Sequence, residues 1–471
     1  MDGYILPLAG RQIIYRPRRR LAFVGNQALA DYVRRRDVPS GKADAADAPD
    51  APDADVERFL SAVGFDGPPL ECDQPEIPER GLAPTSAVLL MTNRCNLRCV
   101  YCYANAGAEP ETVEMGWPTA KSVIDYVIAN AAASRSPNSS DSGAEPPSVT
   151  FHGGGEPTVH WELMVRCVEY AKARDARARF SMSSNGVWNA SQRRFVCRHF
   201  QNVSLSMDGV PQVQNRQRPA SGGGGTFDAV MESVRAMDEA GVEYGIRMTV
   251  MADSVGRMPD GVRLVCEKTQ ARAIQIEPTF TDGRGRYADI DMRFADEFAD
   301  RFMDAWEVGR QAGRNVYYSG ARPWVVASMF CQAPLKAAVA TADGRLVTCF
   351  EVFSAQSPLA GGFTVGRVGD GGVEYDRQAL QRFLDAQQRR REECRDCFCY
   401  WHCCGDCATR RPGRRSDSGG RCHVTRKVTL ALLQNYMADG GGLWQGLQET
   451  PRPAGCEATG ETGGGAGGTA P

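Results

Sequence analysis

The chain has 471 residues, 42% of them hydrophobic, and a formal net charge of −2. This is enough apolar material for a proper core, and the length allows roughly two to four domains. The near-neutral charge excludes bulk attraction to nucleic acid or to an anionic membrane surface. No window resembles a membrane span or a signal-peptide core, so a cytoplasmic protein is expected.

Taken in chain order, residues 1–36 predict two strands (11–15 and 21–24) and a helix (26–36), a small N-terminal α+β segment. Residues 37–55 carry six Asp against one Lys and read as a disordered acidic linker, within a Pro-rich connection that runs to residue 84. A short helix is expected at 56–63. From residue 85 to about 315 the chain alternates strand and helix, with strands at 87–91, 148–151, 179–183, 203–206, 244–250 and 273–277. The clearest helix is 226–240, with Thr226 as its cap, Gly241 as its stop and Phe227, Val230, Met231, Val234 and Met237 on one face. Residues 134–147 read as a flexible insertion. Six such strands predict a parallel α/β layout with right-handed crossovers: an open, partial (β/α)6 TIM-like barrel. A cysteine-rich region follows over 316–425, then a last helix around 424–437 within a segment ending near residue 450, and a disordered Gly-rich tail over 451–471.

The chemistry lies in the 17 cysteines. Cys95, Cys99 and Cys102 form CxxxCxxC directly after the first barrel strand. Three thiolates this close can hold a four-iron cluster and leave one iron open to a small molecule, whereas most protein [4Fe–4S] centres use four Cys. Structural zinc wants four ligands, and no Cys or His lies within 40 residues on the C-terminal side. The loop follows a strand, so the cluster belongs at the C-terminal mouth of the barrel, where barrel enzymes place their chemistry. Further on come Cys331, then Gly344 to Cys349, then Cys394, Cys397, Cys403 and Cys407, and last Cys422. A secreted disulfide framework is excluded, since those belong to short chains with signal peptides.

CxxxCxxC with Tyr101 before the last Cys resembles the radical S-adenosylmethionine (radical SAM) superfamily. In that superfamily SAM chelates the open iron and is cleaved to a 5′-deoxyadenosyl radical, which abstracts a hydrogen atom from substrate. The stretch Gly153-Gly154-Gly155-Glu156-Pro157 at the end of the second strand matches the superfamily's motif for the methionyl amino group, and so assigns Gly154, Gly155 and Glu156 to SAM. Strand ends bearing Ser184, Asn185, Ser206 and Asp208 resemble its ribose and carboxylate contacts, and Arg218 or Arg247 would pair with the SAM carboxylate. The later cysteines match the seven-cysteine SPASM domain. That resemblance implies two auxiliary [4Fe–4S] clusters, three clusters in all. One would be held by Cys394, Cys397, Cys403 and Cys422; the other by Cys331, Cys349 and Cys407, with Cys399 and Cys404 as nearby spares. Cys167, Cys197 and Cys266 read as small core residues. The arginines between Arg389 and Arg426 read as a solvated face, and His402 and His423 as supports beside the clusters.

Enzymes with this domain pair act mainly on peptides and proteins. The resemblance implies a maturase of ribosomally made peptides (RiPPs) that cross-links a precursor, leader plus core, through a thioether or carbon–carbon bond. A small electron donor such as flavodoxin or ferredoxin would serve it. The alternative is sulfatase-type oxidation to formylglycine. Those enzymes place an Asp directly after the Cys of Gx4C as general base, whereas here Phe350 follows Cys349 and Glu351 comes next. The N-terminal segment suits leader docking by strand addition.

Overall fold

A computed structural model describes residues 3–36, 54–108, 111–134, 145–410 and 419–446. The acidic linker, the insertion at 134–147 and the Gly-rich tail lie, but for their edges, outside the described residues. Strands in chain order are β1 (Tyr4–Leu8), β2 (Arg11–Arg16) and β3 (Leu21–Gly25), then β4 (Ser86–Leu90), β5 (Ser148–His152), β6 (Arg179–Ser184), β7 (Asn202–Ser206), β8 (Glu243–Val250) and β9 (Ala273–Pro278). A short hairpin of β10 (Thr281–Gly283) and β11 (Arg286–Tyr287) is followed by β12 (Asn315–Tyr317), β13 (Ala337–Ala340), β14 (Arg345–Val347), β15 (Thr364–Gly369), β16 (Gly372–Tyr375) and β17 (Leu443–Gln445).

The six expected barrel strands pair in parallel as β4 to β9. Two more join them, β12 beside β9 and β13 beside β4, both parallel. The ladder then runs on antiparallel through β14, β15 and β16 to make one sheet of 11 strands. The cysteine-rich region is thus hydrogen-bonded to the first barrel strand rather than merely packed on the barrel.

Alternation along each strand decides what faces where. On β8, Tyr244, Ile246, Met248 and Val250 are buried, while Gly245, Arg247 and Thr249 face the other way. The buried set joins Val149, Phe151, Phe180, Val203, Leu205 and the inner faces of the surrounding helices in the main core. Opposite lie small hydroxyls in contact across strands: Ser86 with Ser148 at 2.6 Å and Thr150 with Ser181 at 2.8 Å. The lumen wall thus carries hydroxyls beside the apolar Val88 and Leu90 of β4.

The helix Phe227–Ala240 ends on Gly241 in the left-handed region (φ 67°), as expected. Its start differs. Thr226 makes no cap bond, because its hydroxyl donates to the Arg218 carbonyl at 2.7 Å. Asn215 Oδ1 takes over, accepting the amides of both Thr226 and Phe227 at 2.8 Å.

The N-terminal segment is larger than two strands. β1 to β3 form an antiparallel sheet whose far edge is completed by β17, in the order β1-β2-β3-β17. One face buries Tyr4, Ile13, Tyr15 and Trp444 against Leu433 and Met437 of the long helix Gly420–Asp439. The other buries Ile14, Leu21 and Phe23 against Leu60 and Phe65. Among the described residues no helix is long and apolar enough to cross a membrane.

Candidate active site

The loop carrying Cys95, Cys99 and Cys102 leaves β4 and is clamped from two sides. On one side it lies antiparallel to residues 217–220: the Arg98 amide donates to the Pro219 carbonyl at 2.8 Å, and the Val100 amide to the Gln217 carbonyl at 2.9 Å. On the other side the glycine turn after β5 presses on it. The Gly155 amide donates to the Thr92 carbonyl and the Glu156 amide to the Arg94 carbonyl, both at 2.9 Å. Backbone meets backbone here, so a Cβ on Gly155 would run into the Arg94 carbonyl oxygen. Gly154 is equally confined, by the ring of Phe353.

Glu156 is buried and accepts from the Thr158 amide and hydroxyl, the Ser184 hydroxyl (2.8 Å) and the Asn185 amide (2.8 Å). Burial raises its pKa and these donors oppose the rise. The Asn185 amide group reaches Asn96 at 2.8 Å and the Cys95 sulfur at 3.9 Å. A second network joins Tyr101, Asp208 and Arg218. The Tyr101 hydroxyl donates to Asp208 at 2.6 Å, and Arg218 donates to the Tyr101 oxygen at 2.6 Å. Gln217 and the Thr249 amide complete the carboxylate's partners. Arg218 Nε is buried without a partner, and Cys99 and Asp208 bear on the same guanidinium. The structure therefore gathers all the expected SAM residues except Ser206 and Arg247, which neighbour each other across β7 and β8 in the lumen.

The three thiols act on one another, and burial pushes Cys95 up to about 12. Among the described residues no three His, Cys, Asp or Glu side chains close around a single ion. Three cysteines on one loop are the donor set of a cluster that keeps one iron open, and binding it must drive their deprotonation. With the orphaned Arg218 Nε facing the same place, the residues also fit an anionic group of SAM.

The later cysteines form two groups. Cys349 is influenced by Cys407 and Cys331. Cys403 is influenced by Cys422 and Cys397. Cys399 pairs with Cys397, and Cys404 sits near Cys394 and Cys72, which places both spares with the second group. Cys72 gave no motif signal. Cys167 is core; Cys197 and Cys266 pack partly buried against it. His402 is buried against Thr429, and His423 pairs with Asp296 at 3.0 Å.

Of the arginines expected as a solvated face, Arg389 and Arg395 are exposed, Arg411, Arg414 and Arg415 lie outside the described residues, and others are buried. Arg391 and Arg421 are 3% and 7% exposed. Arg410 grips Glu351 with two bonds of 2.5 and 2.7 Å and lies over the Phe280 ring. Desolvated carboxylates demand these partners, which sequence pattern alone does not show. Although burial favours the neutral acid, Arg410 holds the Glu351 carboxyl below its usual range. Tyr103, next to Cys102, has its ring 6.4 Å from that of Phe280, the ring under Arg410 and so beside Glu351, which brings the first cysteine loop and the Cys349 loop to one mouth. A cavity of about 600 Å³ between the outer helices, lined by residues such as Pro259, Arg263, Arg301 and Trp306, includes none of these residues.

His152 ends β5 at this mouth. Burial, and secondarily Arg247, lower its pKa to about 4. An unfolded His titrates near pH 6.5. Between about pH 6.5 and 4 the unfolded chain therefore binds the extra proton, and stability should fall as pH falls through that window. His152→Asn should flatten the decline in apo-protein denaturation curves. An unchanged slope would remove His152 as its source.

Residues 89–254 match the Radical SAM superfamily. The end of β4 and strands β5 to β8, with the cysteine loop and the glycine turn between them, fall within that match, so this part of the barrel is identified as a radical SAM domain. It is similar to Fe-coproporphyrin III synthase of Methanosarcina barkeri (28% identity over 36% of this chain and 38% of that one). It is similar also to the serine-type anaerobic sulfatase-maturating enzyme of Klebsiella aerogenes (24%; 74% and 86%) and to the sporulation killing factor maturation protein SkfB of Bacillus subtilis (25%; 43% and 44%). Against M. barkeri and B. subtilis the chain spans less than half of the relative's length. Among solved structures, anSMEcpe with bound AdoMet matches at a TM-score of 0.57 and 18% identity, over 75% of this chain and 99% of that one.

Proposed function

We propose that the chain is a peptide maturase that cross-links a ribosomally made precursor. The observation that carries this reading is the shared mouth: the CxxxCxxC loop and the Cys349 loop meet at Phe280, whose ring lies beside Tyr103 and under Arg410, the partner of Glu351. Cys95, Cys99 and Cys102 would hold the radical-generating cluster, and Glu156, Ser184, Asn185, Asp208 and Arg218 would seat SAM. Cys331, Cys349 and Cys407 would hold one auxiliary cluster, and Cys394, Cys397, Cys403 and Cys422 the other. When bound, SAM and the first cluster supply a 5′-deoxyadenosyl radical for hydrogen abstraction. The protein's part is to fix backbone and side chains so that a peptide residue meets that chemistry out of water. On this reading residues 85–315 form the catalytic barrel, 316–425 the auxiliary-cluster domain and 1–36 a docking module.

Formylglycine formation is the second reading, favoured by the long match to the K. aerogenes enzyme. Two observations weigh against it. Phe350 stands where that chemistry needs an acid. Glu351, the next residue, is committed to Arg410, so it lacks the unpaired carboxylate that a general base requires.

The test is anaerobic reconstitution with iron and sulfide, then reduction with SAM. Iron content should approach that of three clusters, and 5′-deoxyadenosine should form. Cys99→Ala should abolish its formation; retained cleavage would refute the assignment of the first cluster.

A further inference from the structure

The lumen holds one side chain whose chemistry nothing in the site yet uses. Arg247 sits in the middle of β8, between Ser206 of β7 and Gln275 of β9. It is exposed although its strand lies inside an 11-stranded sheet, so it projects into open lumen. Among the described residues its guanidinium has no hydrogen-bond or ion-pair partner. The other arginines around the mouth are tied down. Arg284 donates to the carbonyls of Cys99 and Ala106 at 2.6 and 2.7 Å. Arg410 is spent on Glu351, and Arg421 on Asp406 and Glu277. Glu277 and Glu351, the carboxylates whose fields reach Arg247, are the ones already gripped.

We infer that Arg247 anchors a carboxylate of the peptide, so that the substrate presents an Asp or Glu side chain in the lumen. The inference rests on the maturase reading. A guanidinium enclosed by a bound peptide must be paired, since burying it bare is prohibitive, and its planar fork suits a carboxylate. The wall around it cannot supply that partner. Its neighbours on the adjoining strands are a hydroxyl and an amide, and the amide of Gln275 is itself bonded to Glu277 at 2.9 Å. SAM is the competing source of a carboxylate. Arg218, with its unpartnered Nε beside Cys99, is the better placed arginine for it.

Phenylglyoxal labelling of Arg247 in the full reconstituted chain, read by peptide mass spectrometry, separates the sources. The probes are SAM alone and two pools of acetylated, amidated heptapeptides. One pool carries Asp or Glu at its centre, the other Asn or Gln. Arg247 should label fully in the absence of ligand and with SAM alone. The acidic pool should slow labelling by at least about tenfold relative to the amide pool, the discrimination expected of a charge-assisted pair. In Arg247→Gln the tighter binding of the acidic pool over the amide pool should vanish. Protection by SAM alone, or equal protection by the two pools, overturns the inference. Neither readout depends on radical chemistry, so failure of the radical SAM reading on which the maturase reading rests would show separately, as an absence of 5′-deoxyadenosine.

Discussion

Gly155→Ala is expected to lose SAM cleavage by about a hundredfold or more, because small misplacements of reacting groups cost that much. The added methyl meets the Arg94 carbonyl, a backbone atom that no rotamer change can move aside. Relief requires the glycine turn and the cysteine loop to separate. That breaks the bonds from the Gly155 and Glu156 amides, which hold the turn to the loop one residue before Cys95. The same shift pulls Glu156 away from Ser184 and Asn185. Overpacking of this kind also costs about 1–3 kcal/mol of stability. Gly222→Ala is the control, since nothing lies within 4 Å of a Cβ there, and it should behave as wild type. If Gly155→Ala cleaves SAM within a factor of about two of wild type, the backbone contact has no role in positioning.

The second large effect is expected at Arg421. Its Nε sits 2.8 Å from both oxygens of Asp406, and its Nη1 lies 3.5 Å from Glu277. All three side chains are buried. Arg421→Met leaves two uncompensated carboxylates in the interior, a change that costs about 3–5 kcal/mol. The adjoining residue is Cys422, so iron content should fall together with stability. Combining it with Asp406→Asn should recover part of the loss, because one of the stranded charges is then gone. Burial alone would raise both acids, but Arg421 holds both below their usual range. Their contribution is therefore present above the unfolded carboxylate range and lost as pH falls below about 4. An Arg421→Met protein with wild-type stability and iron content would show that the triad carries nothing.

Much of this was legible in the sequence. The six barrel strands announce themselves through alternation and apolar runs, and the motifs at their ends carry the cysteines and the glycine turn to one mouth. What escaped has physical causes. β1 contains Pro7 and is followed by Gly10, so it reads as a loop. β12 and β13 are three and four residues long, too short for a period, and exist because neighbouring strands offer them a ladder. β17 lies in Gly440-Gly441-Gly442-Leu443-Trp444-Gln445-Gly446, which has the composition of a linker. The pairing of Arg410 with Glu351 and of Arg421 with Glu277 spans distances in sequence that no local pattern encodes.

That last strand has a consequence for how the chain reaches its native state. β3 and β17 lie roughly 420 residues apart, yet the amide of Val24 is satisfied only by the carbonyl of Gly442, and Trp444 seals the sheet against Tyr15. During synthesis the first three strands leave the ribosome with an open edge and half a core. They must wait through the whole of the barrel and the cysteine-rich region before their partner emerges. The β1–β3 sheet is thus completed only by a strand made after the barrel and the cysteine-rich region.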